Sequence, residues 1–159
     1  MATITELLES RLAFARRGLE QVLTRLEQAD MSWAPGEGMR SIAGQLLEIA
    51  GSEYQVVTIM KVGRYIPDEE VREIVGDYKS LDRLAEFLKV VRRETLGLLH
   101  GFSSEELEAE IQIDRWYESS GLRSVPRSEV FRGIAQHEAY HTGQLVSYLW
   151  AKGDNPYEW

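Results

Sequence analysis

Apolar residues recur every three or four positions through four long stretches of this 159-residue chain, the spacing of helices that each bury one face. The first stretch carries Ile4, Leu7, Leu8, Leu12, Ala15, Leu19, Val22, Leu23 and Leu26. The capping-box pattern Thr3-x-x-Glu6 opens it, so a helix is expected from Thr3 to about Asp30. Ser32-Trp33-Ala34-Pro35-Gly36-Glu37-Gly38 then interrupts with proline and glycine. Ser41 can cap a second helix reaching about Val62, with Ile42, Leu46, Ile49, Val56 and Met60 on one side. A break this short predicts that the first two helices are antiparallel neighbours.

Ser80 opens a third helix through Leu84, Leu88, Val91, Thr95 and Leu99, and Gly101 ends it. A fourth is expected from about Arg127 to Trp150, with Val130, Phe131, Ile134, His137, His141, Leu145 and Tyr148 along one side, until Gly153 and Pro156 stop it. Residues 63–79 read as a long connection holding Pro67 and Gly76. Between Phe102 and Pro126, Ser103-x-x-Glu106 can cap a short turn, and Glu110 to Asp114 alternates like an extended stretch. The expected fold is all-α: a four-helix bundle with long crossover connections, forming one domain over residues 1–159.

The chain has no cysteine, which excludes protein thiolate chemistry and disulfide scaffolds. No apolar run approaches the roughly 18 residues of a membrane span, and the N-terminus lacks the pattern of a signal peptide, so a cytoplasmic protein is expected. A net charge of −8, with basic residues scattered among acids, argues against nucleic-acid binding.

Two of the three histidines, His137 and His141, sit four residues apart in the fourth helical stretch. They project from one face and can converge on one cation. Two neutral imidazoles on an apolar side need partners for their ring nitrogens, and a metal satisfies two of them at once. The third histidine, His100, stands just before Gly101 and reads as a helix-end cap. The second helix offers Glu48 and Glu53 as further ligands. Periodicity places Glu53 near the centre of the apolar stripe and Glu48 at its edge, and a buried glutamate there wants a basic partner or a cation.

His137-Glu138-Ala139-Tyr140-His141 also spells H-E-x-x-H, the zinc-peptidase signature with Glu138 as general base. The metzincin continuation fails, with Gln144 and Ser147 where glycine and histidine belong, and the chain has little strand to bind a peptide. Glu138 lies one residue off the histidine face and is expected at solvent or an adjacent helix. Trp33, Trp116, Trp150 and Trp159, with Tyr54, Tyr117, Tyr140 and Tyr148, either pack the bundle ends or line a pocket. Trp116-Tyr117 is placed to fold over the bundle mouth, with Arg115, Arg123 and Arg127 nearby. Gly143 reads as a close-packing position between helices.

Trp33-x-Pro35, then Ser41-Ile42 opening a helix, then the histidine pair followed by Gly143-Gln144, resembles the DinB-like (YfiT-like) metalloenzymes across essentially the whole chain. That family consists of four-helix bundles of the damage-inducible type, unrelated to the DNA polymerase of the same name. The resemblance implies a divalent metal (zinc, nickel, iron or manganese) held by three histidines. One lies seven residues after the serine of the Ser-Ile pair, and two form an H-x-x-x-H in the last helix. Here the two map to His137 and His141, and the first position holds Glu48. The resemblance therefore favours Glu48, His137 and His141 as the metal ligands, with Glu53 supporting them or taking the place of Glu48. It implies thiol-transfer or metal-activated hydrolysis on a small molecule, such as a low-molecular-weight thiol, and a homodimer. The alternative is a non-catalytic, stress-related bundle that has lost its metal.

Overall fold

The computed structural model describes residues 1–112 and 121–159. Helix α1 spans Ile4–Leu23, and the reciprocal cap is made: the Glu6 backbone N–H donates to the Thr3 hydroxyl at 3.2 Å, and the Thr3 N–H to Glu6 Oε2 at 2.7 Å. The helix stops short of the expected Asp30. The Thr24 hydroxyl donates to the Gln21 carbonyl at 2.7 Å, and Asp30 accepts the Glu27 N–H at 2.8 Å, which closes a separate 3₁₀ turn at Gln28–Asp30. The connection to α2 then runs back over the start of that helix, where Met31 and Trp33 accept the N–H groups of Ala43 and Ile42 at 2.9 Å.

Helix α2 is Ile42–Val62, capped by Ser41 and ended by Gly63 in the left-handed region at φ 66°. The following connection contains an unexpected helix, α3, at Asp68–Val75. Pro67 precedes it, and Asp68, Glu69 and Glu70 complement its positive N-terminus. Helix α4 (Leu81–Gly101) starts at Ser80 as expected. The short helix α5 (Ser104–Glu108) has the Ser103–Glu106 capping box. Strand β1 (Glu110–Ile111) pairs antiparallel with β2 (Val125–Pro126), and α6 spans Arg127–Ala151. Trp116, Tyr117 and Arg115 lie outside the described residues.

Side-chain pairs give the helix directions. Arg16 meets Glu138 while Gly18 faces Thr142, so α1 and α6 run parallel. Arg92 donates to the Leu12 carbonyl and Arg16 to the Leu88 carbonyl, so α1 and α4 run opposite. Glu53 meets Arg92 and Lys61 meets Glu94, making α2 and α4 parallel. Around the bundle the order is α1, α6, α2, α4. Helices α1 and α2 therefore sit diagonally, not side by side as the short break suggested. The reason is the early end of α1: the connection covers residues 24–41, long enough to cross the bundle.

The apolar interior divides into two clusters. One gathers Leu8, Leu12, Val56, Leu99, Phe131 and Ile134, and the other Leu19, Leu46, Ile49, Leu84, Leu88 and Leu145. Between them lies a polar layer to which every long helix contributes one charge: Arg16, Glu53, Arg92 and Glu138. Arg16 Nε and Nη2 grip the two oxygens of Glu138 at 2.9 Å each. Arg92 donates Nε to Glu53 Oε1 at 2.7 Å and Nη2 to Glu138 Oε2 at 2.5 Å. Thr95 donates to Glu53 at 2.6 Å, and the Leu88 and Leu12 carbonyls take the remaining guanidinium bonds. Burial alone would push the Arg92 guanidinium down, but its hydrogen bonds to Glu53 and the charges of both glutamates hold it above its ordinary value. The layer is neutral overall, and every nitrogen and oxygen of its four charged groups has a hydrogen-bond partner, the condition under which buried charge is tolerable.

This layer settles two sequence expectations. Glu53 is buried at the centre of its stripe, and its partner is basic, not a cation site. Glu138 is only 1% exposed, so of its two expected surroundings the adjacent helix holds and solvent does not: Arg16 of α1 and Arg92 of α4 occupy its carboxylate. Its carboxylate faces two guanidiniums instead of solvent, whereas the peptidase reading needs a general base within reach of a water.

Candidate metal centre

Anchoring Glu138 fixes the rotation of α6, which directs its two histidine neighbours toward α2. His137 and His141 lie with ring centroids 4.5 Å apart, and Glu48 of α2 faces them, with Oε1 3.7 Å from His137 Nε2. One donor atom from each of Glu48, His137 and His141 lies within 4.8 Å of the others. Bonds of about 2.0–2.2 Å to a common ion bring donor atoms to roughly 3.3–4.2 Å apart. The separation of 3.7 Å between Glu48 Oε1 and His137 Nε2 already falls in that range.

The protonation of these groups suits a cation. His141 is 8% exposed, and its Nδ1 sits 2.7 Å from Gln45 Oε1 and 2.8 Å from Gln144 Oε1. Gln45 donates its amide to the Tyr148 hydroxyl at 3.1 Å, and that hydroxyl donates to the Arg40 carbonyl at 3.0 Å. The relay leaves only acceptors facing Nδ1, so Nδ1 carries the proton and Nε2 keeps its lone pair. Burial, reinforced by neighbouring His137, pushes the His141 imidazole below its ordinary value and keeps it neutral. The His137 imidazole draws the Glu48 carboxyl down to about 2; burial opposes this and Arg40, 3.2 Å from Oε2, reinforces it. Two imidazoles and one carboxylate are a donor set that divalent transition metals accept, so the residues present fit such an ion.

His100, in the last turn of α4, pairs with Glu9 of α1 at 3.1 Å and takes no part in this cluster. Arg127 starts α6 ten residues before His137, where it donates to the Glu106 carbonyl and lies over the Phe102 ring. The described aromatic residues mostly pack against one another, as in the Trp33–Tyr148 and Tyr54–Phe87 pairs. Gly143 is exposed, and a Cβ added there would meet nothing within 4 Å, so close packing does not require it.

The sequence reading gave no place to Gln45, Arg16 or Arg92, and no role beside His141 to Gln144 or Tyr148. Gln45 and the two arginines carried a signal, since each is a polar residue falling among the apolar positions of its helix. Beside Glu48, a groove of about 350 Å³ opens between α2 and α3, bordered by Arg40, Gly51, Asp68, Arg72 and Tyr78.

The profile of the DinB superfamily matches residues 11–145. A solved structure of a histidine-to-alanine mutant of the mycothiol-dependent maleylpyruvate isomerase is similar, with a TM-score of 0.64 and 19% identity over 91% of this chain. The structure of the isomerase without that mutation gives a TM-score of 0.59 at the same identity. This chain spans 63% of that protein's length. No curated protein sequence matches it. At this identity the likeness is one of fold, and the fold is a helical bundle of the DinB type.

Proposed function

The chain belongs to the DinB superfamily, and from that premise we propose that it is a divalent-metal-dependent enzyme acting on a small molecule through Glu48, His137 and His141. The observation that carries this reading is the state of His141: Gln45 and Gln144 claim Nδ1 and leave the other nitrogen to the cluster. Zinc, nickel, iron or manganese suits the donor set.

A bound ion would supply positive charge that lowers the pKa of a coordinated thiol or water. The substrate class we favour is a low-molecular-weight thiol. The chain has no cysteine to act as nucleophile, and its structural neighbour is a mycothiol-dependent enzyme. Metal-activated hydrolysis is the runner-up chemistry. The protein's own residues hold and orient: Glu48 and the histidines position the ion, the glutamine relay fixes one ring, and the ion-pair layer fixes the helix. A cytoplasmic homodimer is part of the same proposal. No described helix is long and apolar enough to cross a membrane.

One observation favours the second reading, a bundle that has lost its metal: Glu48 already pairs with Arg40 at 3.2 Å and faces His137. Elemental analysis after incubation with each metal and removal of excess separates the two. Close to one equivalent per chain supports the enzyme; less than about a tenth of an equivalent from every metal supports the scaffold.

A further inference from the structure

The groove beside Glu48 is shaped by two glycines of α2 seven residues apart, hence on one face. A Cβ on Gly44 would lie 2.5 Å from Arg40 Cγ, so the bare backbone lets the Arg40 stem lie across the first turn of α2. A Cβ on Gly51 would lie 3.1 Å from Val71 Cγ1, so the second glycine lets α3 approach and form the opposite wall. Val71 is 3% exposed, whereas the next residue, Arg72, is exposed and borders the groove. Among the described residues no hydrogen bond or ion pair engages the Arg72 guanidinium. Asp68 is occupied by Gln55 at 2.9 Å.

We propose that this groove binds the carboxylate end of a thiol substrate between Arg40 and Arg72, with the thiol directed to the metal. The inference rests on the metal-dependent reading above. The charges on the groove wall are Arg40 and Arg72 against Glu48 and Asp68, which cancel. A divalent ion on Glu48 changes that balance by two positive charges and weakens the hold of Glu48 on Arg40. An anion is then attracted where none was before, so metal and carboxylate each strengthen the other's binding. The volume of about 350 Å³ suits a small molecule, at the lower end of ligand-pocket sizes.

Calorimetric titration tests this with glutathione and glutathione diethyl ester, which keeps the thiol and loses both carboxylates. Each is added to the full chain with and without one equivalent of zinc. Glutathione is expected to bind the zinc-loaded protein about tenfold more tightly than the ester does, an advantage absent without zinc. Arg72→Gln, on the exposed face of α3, should abolish the advantage while zinc uptake stays at the wild-type level, and Arg93→Gln, an exposed control, should keep it. Gly44→Ala should reduce it by displacing Arg40. Equal binding of the two thiols to zinc-loaded protein, or an advantage that survives Arg72→Gln, overturns this inference and leaves the metal reading intact. Failure of the wild-type chain to take up zinc or any other divalent ion overturns both.

Discussion

Arg16 and Glu138, 122 residues apart in sequence, meet through two parallel hydrogen bonds of 2.9 Å each in the middle of the bundle. Glu138 is the residue between the two histidines that an H-E-x-x-H reading would make catalytic. Its carboxylate is a structural anchor for α6, and it sets which way His137 and His141 project.

Removing one member of this layer leaves a buried charge without its partner. Glu138→Leu or Arg16→Met should each destabilise the fold by about 3–5 kcal/mol, read as a lower midpoint in urea. The double variant Arg16→Met with Glu138→Leu leaves Arg92 matched to Glu53, so it should lose less than either single change. A double variant as unstable as the sum of the two would contradict the account of a balanced layer.

His137→Ala and His141→Ala should each remove most of the bound metal and, with it, the stability that a native-state ligand adds by mass action. Gln45→Leu should be milder, weakening affinity about 10–100-fold, because the ring it orients is still present. Metal content and thermal midpoint, with and without chelator, check all three. Unchanged metal content in either histidine variant would remove that residue from the site.

Glu48 and Glu53 are separated by opposite outcomes. Glu48→Gln should weaken metal binding with little effect on the fold, and Glu48→His should retain it. Glu53→Gln breaks hydrogen bonds to Arg92 and Thr95, so it should cost stability while the folded fraction still takes up metal. The reverse pattern, metal lost only with Glu53→Gln, would exclude Glu48 as the third ligand.

Metal-free protein should lose stability in two windows as pH falls. The His141 imidazole is held below its ordinary 6.5, so the unfolded chain takes up that proton first and stability declines from about pH 6.5 downward. Glu48, lowered from 4.5 to about 2, adds a loss that begins near pH 4.5 and is complete once pH passes its folded value. The exposed Glu6, Glu70 and Glu106, also held low by hydrogen bonds, fall in this lower window. His141→Gln should flatten the upper window only. Urea midpoints that stay level between pH 7 and 5 in the wild-type chain would count against a neutral, buried His141.

The sequence by itself determined what is local. Caps at Thr3, Ser41, Ser80 and Ser103 placed four helix starts, because a side chain bonding a backbone N–H three residues away needs no distant partner. The spacing of His137 and His141 placed both rings on one helix face for the same reason, since one turn of helix is a local property. Only the tertiary structure decided what crosses between helices. Periodicity located Glu53 on a buried face but could not tell a cation from an arginine, because the answer lay 39 residues on, at Arg92. It left Glu138 between solvent and an adjacent helix, because helical phase says nothing of the two arginines that α1 and α4 bring to meet it. The diagonal seating of α1 and α2 depended on where α1 ended, at a threonine hydroxyl competing for a backbone carbonyl, and on which faces then found each other. Side chains that meet across a bundle are selected by packing and charge balance over the whole chain, and no window of sequence contains both partners.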